Sequence, residues 1–300
     1  MLRRLANSAF NNAYLLLTLL ALFWAGNQVL GRAVAGHIPP VALSFLRWSL
    51  AALFLLPFAL PHLKRDWPVV RQNWKFLSIL GIMGCGAFNT LQYIGLNFTT
   101  ALNALVLNST APVLIALACV FLFRDRMTYK QIIGTVISLV GVLVVISHGS
   151  LDVLLHMTLN RGDLLILFGM LITAIYTAYL RLRPDIHWLT FLFVQFLASG
   201  VFNLPLVLVE STVFGLTLQP TLLTLLTVLY VSIFPSIIGF ICYTRGVELI
   251  GGVRAGIFLH LVPFFGALMA IGLLGEPLAL FHITGFMLIL SGVALTSRKP

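Results

Sequence analysis

The sequence predicts an all-helical integral membrane protein with ten transmembrane helices in two inverted five-helix repeats. Three observations lead to this fold class: the composition, the length of the apolar segments and an internal repeat. Of the 300 residues, 60% are hydrophobic and only 9% are charged, whereas a soluble domain carries about 25% charged residues. A water-soluble globule needs more polar surface than this chain supplies. The composition therefore excludes a soluble enzyme and a disordered chain.

Apolar segments of membrane-spanning length follow one another along the chain. A helix needs about 20 apolar residues to cross roughly 30 Å of hydrocarbon. The segments are continuously apolar and rich in leucine, so helices are expected rather than the alternating strands of a barrel. Ten predicted spans lie at about 12–31, 40–61, 75–97, 101–122, 128–147, 162–181, 188–209, 221–245, 251–274 and 280–297.

The basic residues predict the orientation of these spans. The formal net charge is +10, from 18 Lys and Arg against 8 Asp and Glu. With the N-terminus inside, 15 of the 18 basic residues fall on cytoplasmic stretches, and only Arg32, Arg47 and Arg161 do not. This bias is typical of membrane proteins and predicts that both termini are cytoplasmic. The excess charge is thus interpreted as an orientation signal and not as a nucleic-acid-binding surface.

A shift of 151 residues superposes the two halves of the chain. The division predicts a first repeat at 1–147 and a second at 148–300, with five spans each. Because five is odd, the second half enters the membrane from the opposite side, as in the inverted repeats of secondary transporters. The aligned pairs include Gly95 with Gly246, Ala104 with Ala255, Pro112 with Pro263, Asp125 with Glu276, Gly134 with Gly285, and Gly141 with Gly292.

A set of residues along the chain, some of them in the aligned pairs, carries a family resemblance. They are Trp24, Pro39, Arg47, Pro112, Pro263, the string Leu274-Gly275-Glu276-Pro277-Leu278, Gly285, and Ser291-Gly292-Val293. In this pattern the chain resembles the drug/metabolite transporter superfamily in its ten-span form with two EamA-type halves. It departs from the pattern at Arg124-Asp125-Arg126, where the family commonly has a Gly-Glu pair. The chain is also similar in overall character to bacterial aromatic amino acid exporters, which implies an inner-membrane exporter of small metabolites.

Amide side chains cluster in spans 1, 3 and 4, where polar groups are costly and are functional candidates by default. They are Asn27 and Gln28, which follow Trp24, then Asn89 and Gln92 beside Tyr93, and finally Asn108. Asn89 and Gln92 are three positions apart and share a helix face. Pro112 lacks an amide hydrogen and frees the carbonyl of Asn108. Any single amide could form a hydrogen bond to a neighbouring helix. Together the amides predict a water-filled cavity, because so many cannot all find helix partners at low cost.

The repeat pairs several of these amides with aromatic residues of the second half. Asn89 aligns with Phe240, Gln92 with Tyr243, and Gln28 with Tyr179. We therefore predict a central cavity with one amide wall and one aromatic wall. Tyr176, one turn before Tyr179, is included in the predicted binding set. Such a cavity suits a small molecule with a ring at one end and a zwitterion at the other.

Two ionisable residues within the spans each have two interpretations. Arg47 lies about 10 Å below the predicted outer surface, where it could pair with a substrate carboxylate or serve a structural role in the outer half. His260, near the middle of span 9, could carry a proton during transport or simply bond a neighbouring helix. Pro112, Pro263 and Glu276 are predicted to be gating or structural residues.

Other classes of function find less support in the residues. Cys85, Cys119 and Cys242 show no metal-ligand spacing, so neither a metal nor a cofactor is predicted. No GxxxxGK[ST] motif is present, which argues against ATP hydrolysis. The acidic residues lie at span ends, so facilitated export is at least as well supported as proton exchange. An intramembrane lipid enzyme would need a catalytic set that is missing, whereas a channel or a lipid scramblase stays an alternative.

Small residues in spans 5 and 10 predict close helix packing. They are Gly134, Ser138 and Gly141 in span 5, and Gly285, Ser291 and Gly292 in span 10. These faces could pack on each other within the chain or on a second copy in a homodimer. The remaining predicted partners are the lipid bilayer and an amino-acid-like small molecule.

Alanine substitution at Asn89, Gln92 and Tyr243 should lower transport without lowering the amount of protein in the membrane, because each change removes a wall of the predicted cavity. The measurement compares substrate efflux with membrane abundance for each variant. Unchanged transport in all three variants would contradict the predicted cavity.

Overall fold

The computed structural model describes residues 11–125, 128–155, 160–250, 258–259 and 261–296, and this part of the chain is helical without strands. Arg161–Leu182 is preceded by a short helical segment, Leu151–Leu155. The long helices are α1 (Ala13–Ala33), α2 (Pro40–Gln72), α3 (Trp74–Gly95), α4 (Ala101–Asn108 and Ala111–Phe123), α5 (Tyr129–Ile146), α6 (Arg161–Leu182), α7 (Trp188–Thr212), α8 (Leu222–Ile250), α9 (Leu261–Leu274) and α10 (Leu280–Thr296).

Seven of the described helices are long and apolar enough to cross a membrane, namely α1, α2, α3, α5, α6, α7 and α8. The two pieces of α4 count as an eighth if they form one bent span. Helices α9 and α10 are apolar but have 14 and 17 residues, or about 21 and 25 Å of helix. Residues 251–257 of the predicted ninth span lie outside the described residues. The chain is thus a multi-pass helical membrane protein, and the count of ten spans stays a prediction.

The helix packing has a pseudo-two-fold pattern. Helix α1 packs on α8 and α9, as α6 packs on α3 and α4. Helix α2 contacts the middle of α8, as α7 contacts the middle of α3, while α2 with α7, α4 with α9, and α5 with α10 pair directly. Exchanging α1–α5 with α6–α10, in order, therefore converts one set of helix contacts into the other. Two related five-helix halves would produce this pattern, although the boundary at residue 147 stays a prediction.

Each half contains one π-helical turn at an equivalent position. The turns span Ile82–Ala87 in α3 and Ser232–Ile238 in α8, and a shift of 151 carries 82–87 onto 233–238. The first turn packs on α6 and α7, whereas the second packs on α1 and α2. Both turns therefore lie where the halves meet. Such turns widen the helix, leave carbonyl oxygens without their usual partners and often occur at functional positions.

Helix α4 is broken just before Pro112, the residue predicted to free the carbonyl of Asn108. Its two pieces meet at Ser109–Thr110 and are bent by 43°. Pro112 is the second residue of the second piece, a position that tolerates proline because its missing amide has no helical partner there. The equivalent Pro263 is the third residue of α9. Both prolines are therefore near the start of a helical piece, as a structural role requires.

Helices α5 and α10 pack through their small residues within one chain. A Cβ atom added at Gly141 would lie 2.9 Å from the Gly285 carbonyl oxygen. One added at Gly292 would meet the Gly134 carbonyl oxygen and lie 2.6 Å from the Ser138 amide nitrogen. The backbones approach too closely for larger side chains. The faces thus serve packing inside the chain, and a homodimer stays a prediction.

The substitution Gly292→Ala should lower the thermal unfolding temperature, because the new methyl group forces α5 and α10 apart. The matched control is Gly272→Ala in α9, where an added Cβ would have nothing within 4 Å. That control should be neutral or slightly stabilising, since alanine favours a helix over glycine by about 1 kcal/mol. Equal unfolding temperatures for the two variants in detergent would contradict the described helix contact.

Candidate functional site

The guanidinium group of Arg47 lies at the centre of a buried hydrogen-bond cluster, which we call the Arg47 cluster. Arg47 is the eighth residue of α2 and only 4% exposed. Its Nη1 donates to Asn27 Oδ1 at 2.9 Å, to Asn89 Oδ1 at 2.9 Å and to the Tyr93 hydroxyl at 2.8 Å. Its Nε donates to Ser236 Oγ at 2.9 Å. The cluster thus joins α1, α2 and α3 of the first half to α8 of the second.

The positive charge of Arg47 has no carboxylate partner. All eight Asp and Glu residues of the sequence are among the described residues, and no ion pair joins any of them to Arg47. The Trp48 ring lies 4.4 Å from the guanidinium carbon. Neutral oxygens and this ring stabilise the charge, which is costly to bury without a counter-ion.

The glutamines next to the cluster pair with each other. Gln92 Nε2 donates to Gln28 Oε1 at 2.8 Å, and Gln92 is fully buried. The Gln92 Oε1 atom has no hydrogen-bond partner in the part of the chain that the structure describes. The pair therefore provides the interhelical hydrogen bond that was the alternative to a binding role, while one acceptor atom stays unused.

A series of neighbouring aromatic rings from α2, α7, α8 and α1 begins beside the Arg47 cluster. The Trp48 ring lies 5.0 Å from the Phe196 ring, which lies 5.8 Å from Phe240. The Trp24 ring follows at 6.0 Å from Phe240 and at 6.3 Å from Tyr243. Trp24 thus lies beside Phe240 and Tyr243 of the predicted aromatic wall. We call these five rings the aromatic row.

A ring from the first helix of each half covers the π turn of the other half. Trp24 Nε1 donates to the Pro235 carbonyl at 3.0 Å, which gives the indole a structural role there. On the other side, the Tyr176 ring packs against Gly84 so closely that an added Cβ atom would lie 2.6 Å from the ring. Gly84 and Pro235 are 151 positions apart. Two predicted binding residues, Trp24 and Tyr176, thus occupy related positions on opposite sides of the pseudo-two-fold.

Some predicted site residues lie away from the Arg47 cluster. The Tyr176 hydroxyl donates to Gln195 Oε1 at 3.1 Å, and the Tyr179 ring lies 5.6 Å from Phe123. Asn108 is at the break in α4, and its Oδ1 has no partner among the described residues. His260 lies outside the described residues. The structure thus brings Asn27, Asn89 and Tyr93 onto Arg47, and Trp24 onto Tyr243.

The predicted cavity is not open in the described conformation, because Asn27, Asn89 and Tyr93 are buried against Arg47. A groove of about 280 Å³ lies elsewhere, between α2 and α7, where Phe45 and Leu204 are among its mainly apolar lining residues. Arg47 itself is buried in this conformation.

Buried carboxylates cap two helices on the predicted outer side. Glu276 accepts hydrogen bonds from the Ala101 and Leu102 amides at 2.8 and 3.0 Å, at the start of α4. Its Oε1 also lies 3.8 Å from Arg32 Nε. Glu210, which the sequence analysis did not select, caps α2 in the same way, through the amides of residues 41 and 42. Negative charge at a helix N-terminus is stabilising, so Glu276 has a structural role.

Another buried carboxylate, Asp163, was also missed because it lies at a predicted span end. It is fully buried and accepts a hydrogen bond from Thr99 Oγ1 at 2.5 Å. Asn103 Nδ2 lies 3.3 Å from Asp163 Oδ2, while Asn103 Oδ1 is 3.0 Å from His282 Nε2. His148 Nε2 is 3.8 Å from the carboxylate. These contacts tie α4, α6 and α10 together on the predicted outer side.

The repeat counterpart of Glu276 behaves differently. Asp125 is an exposed residue between α4 and α5, and its carboxylate accepts a hydrogen bond from Arg181 Nη2 at 2.7 Å. This hydrogen bond lowers the pKa of Asp125 below its usual value. Both residues thus have an arginine nearby, but Glu276 also accepts hydrogen bonds from two helix amides.

A multi-pass helical bundle with related halves and a buried polar cluster between them is an arrangement typical of membrane transporters. The chain belongs to the EamA-like transporter family, whose sequence model matches residues 11–147 and 160–298. It is thus a membrane transporter.

Relatives support the same assignment over the full length. The chain is 26% identical to the uncharacterized transporter YyaM of Bacillus subtilis, and the match covers 95% of this chain and 93% of that one. It is 27% identical to an uncharacterized transporter of Archaeoglobus fulgidus, over 96% and 98% of the two chains. A crystal structure at 20% identity has a similar fold, with a TM-score of 0.63 over 95% of this chain and 96% of the other.

Replacing Glu276 by Gln should destabilise the protein, because the neutral amide offers one acceptor where the carboxylate offers two to the α4 amides. We expect a loss of about 1–2 kcal/mol, measured as a lower thermal unfolding temperature in detergent. The control is Glu248→Gln, since Glu248 is exposed and its ion pair among the described residues is with Arg245, three residues away in the same helix. If both variants unfold together with the wild type, the capping role of Glu276 is wrong.

Proposed function

We propose that this transporter is a secondary exporter of small metabolites, with aromatic amino acids as its substrate class. The supporting observation is the Arg47 cluster between the two halves. It combines one unpaired positive charge with neutral amide oxygens, and the aromatic row begins beside it. An aromatic amino acid presents matching chemistry, with a carboxylate and an ammonium group at one end and a ring at the other.

Alternating access between two inverted halves is the proposed mechanism. In this scheme the chain has ten spans, both termini are cytoplasmic, and the protein lies in a bacterial inner membrane. The halves rock against each other and expose the buried cluster to one side at a time. The break in α4 and the π turns of α3 and α8 are the proposed bending points, because the regular helical hydrogen bonding is interrupted there.

The driving force in the proposal is the substrate gradient. No carboxylate contacts Arg47, and the buried acids of the described residues lie at helix ends near the two predicted membrane surfaces. Asp163, Glu210 and Glu276 are on the outer side, and Asp66 is on the cytoplasmic side. Such an arrangement favours facilitated export. The second possibility is proton-coupled transport of another amphipathic small molecule or drug through His260, because histidine is a common proton carrier in proteins. The transport assay below separates the two mechanisms.

Purified protein in vesicles loaded with Phe, Trp or Tyr should give saturable efflux that persists when the pH gradient is collapsed. Protein-free vesicles and vesicles loaded with lysine are the controls. Loss of efflux on collapse would support proton coupling instead. A fluorescent lipid in the same vesicles reports lipid scrambling. Scrambling without saturable efflux of any of the three amino acids would contradict the proposed function.

A further inference from the structure

We propose that Arg47 is the specificity residue that binds the carboxylate of the substrate, and that Asn27, Asn89 and Tyr93 hold the guanidinium in place until the substrate arrives. The inference rests on the proposed export function and adds an atomic basis for substrate choice. It follows from the hydrogen bonds of Arg47, from its charge and from its neighbours.

The hydrogen-bond inventory of Arg47 leaves a donor group free. A guanidinium has five N–H donors in a planar fork. Nε uses its one hydrogen on Ser236, and Nη1 shares two hydrogens among Asn27, Asn89 and Tyr93. Nη2 makes no hydrogen bond within the described part of the chain. The two N–H groups of Nη2 are therefore available to an acceptor from outside the protein.

The crowding at Nη1 shows which contacts a ligand can replace. Three oxygens lie within 2.9 Å of a nitrogen that has two hydrogens, so at least one contact is shared. The Tyr93 hydroxyl already donates its hydrogen to Asn27 Oδ1 at 2.7 Å, and this hydrogen bond does not depend on Arg47. A substrate oxygen can therefore displace a neutral acceptor without leaving the displaced hydroxyl unpaired.

The charge balance favours a carboxylate over a doubly charged group. Arg47 contributes a single positive charge, and in the described structure its hydrogen-bond partners are neutral side chains. One carboxylate would neutralise this charge and fit the planar fork through two parallel hydrogen bonds. A dianionic phosphate would leave a net negative charge buried in a low-dielectric site, and burying an uncompensated charge costs free energy.

The neighbours of Arg47 are suited to the rest of the same molecule. The Trp48 and Phe196 rings lead away from the guanidinium and provide an apolar surface for a substrate ring. Gln92 Oε1 is a buried acceptor without a partner among the described residues, and it is on the same helix as Asn89. The ammonium group of an amino acid could donate a hydrogen bond to this oxygen.

The substitution Asn89→Asp gives the sharpest test of the carboxylate site. Asp has nearly the shape of Asn, and its carboxylate would lie about 2.9 Å from Arg47 Nη1, where Asn89 Oδ1 now lies. It would act as a built-in counter-ion. We expect the variant to fold, because the new ion pair offsets the lost hydrogen bond from Asn89 Nδ2 to the Cys85 carbonyl. It should bind phenylalanine about 10- to 100-fold more weakly, as loss of a charge-assisted hydrogen bond predicts.

Binding is measured by tritiated-ligand competition on the full-length protein in detergent, with phenylalanine, phenylalaninamide and phenethylamine as competitors. The wild type should prefer phenylalanine over the two probes without a carboxylate by a similar 10- to 100-fold. Asn89→Asp and Arg47→Gln should both lose this preference. The control Arg161→Gln removes an exposed charge at the start of α6 and should retain it.

Two outcomes would overturn the inference. One is wild-type affinity of a folded Asn89→Asp variant for phenylalanine, and the other is equal wild-type affinity for phenylalanine and phenylalaninamide. Failure of the export function looks different: vesicles would show no saturable efflux although the carboxylate preference is present in detergent. Efflux of phenethylamine and phenylalanine alike would support export and contradict the role of Arg47.

Discussion

The interaction on which the rest of the structure depends is the hydrogen bonding of one buried guanidinium by neutral oxygens. A positive charge inside a membrane protein is stable only if dipoles or a counter-ion replace the water it loses. Four side chains from α1, α3 and α8 provide the dipoles for Arg47. Because these helices come from both halves of the chain, any relative movement of the halves changes the environment of the charge.

The pseudo-symmetry explains why the cluster lies where it does. The π turns of α3 and α8 are at equivalent positions and face the opposite half, and a ring from the first helix of that half covers each of them. The side chains break the symmetry. Arg47 aligns with Ala198, and Asn89 aligns with Phe240, so only one of the two equivalent positions carries a charge. The repeat thus supplies a backbone interface, and the substitutions within it create a single polar site.

The sequence predicted the class of fold and part of the candidate site. Composition and apolar length indicated the membrane helices, and Asn27, Asn89 and Tyr93 were all selected from their depth. The partner Ser236 was missed because a lone serine in an apolar helix carries no signal, although it aligns with Cys85 in the repeat. Glu210 and Asp163 were missed because acids at span ends usually face water, and only the packed structure shows them buried against helix ends and amides.

The central claim is that Arg47 exchanges neutral protein acceptors for a substrate carboxylate. The most direct measurement is an experimental structure of the protein with phenylalanine bound. The account predicts a carboxylate oxygen at about 2.7–2.9 Å from Arg47 Nη2, a rearranged contact at Asn27, Asn89 or Tyr93, and the phenyl ring against the aromatic row. Phenylalanine bound elsewhere, with all four contacts of Arg47 unchanged, would contradict it.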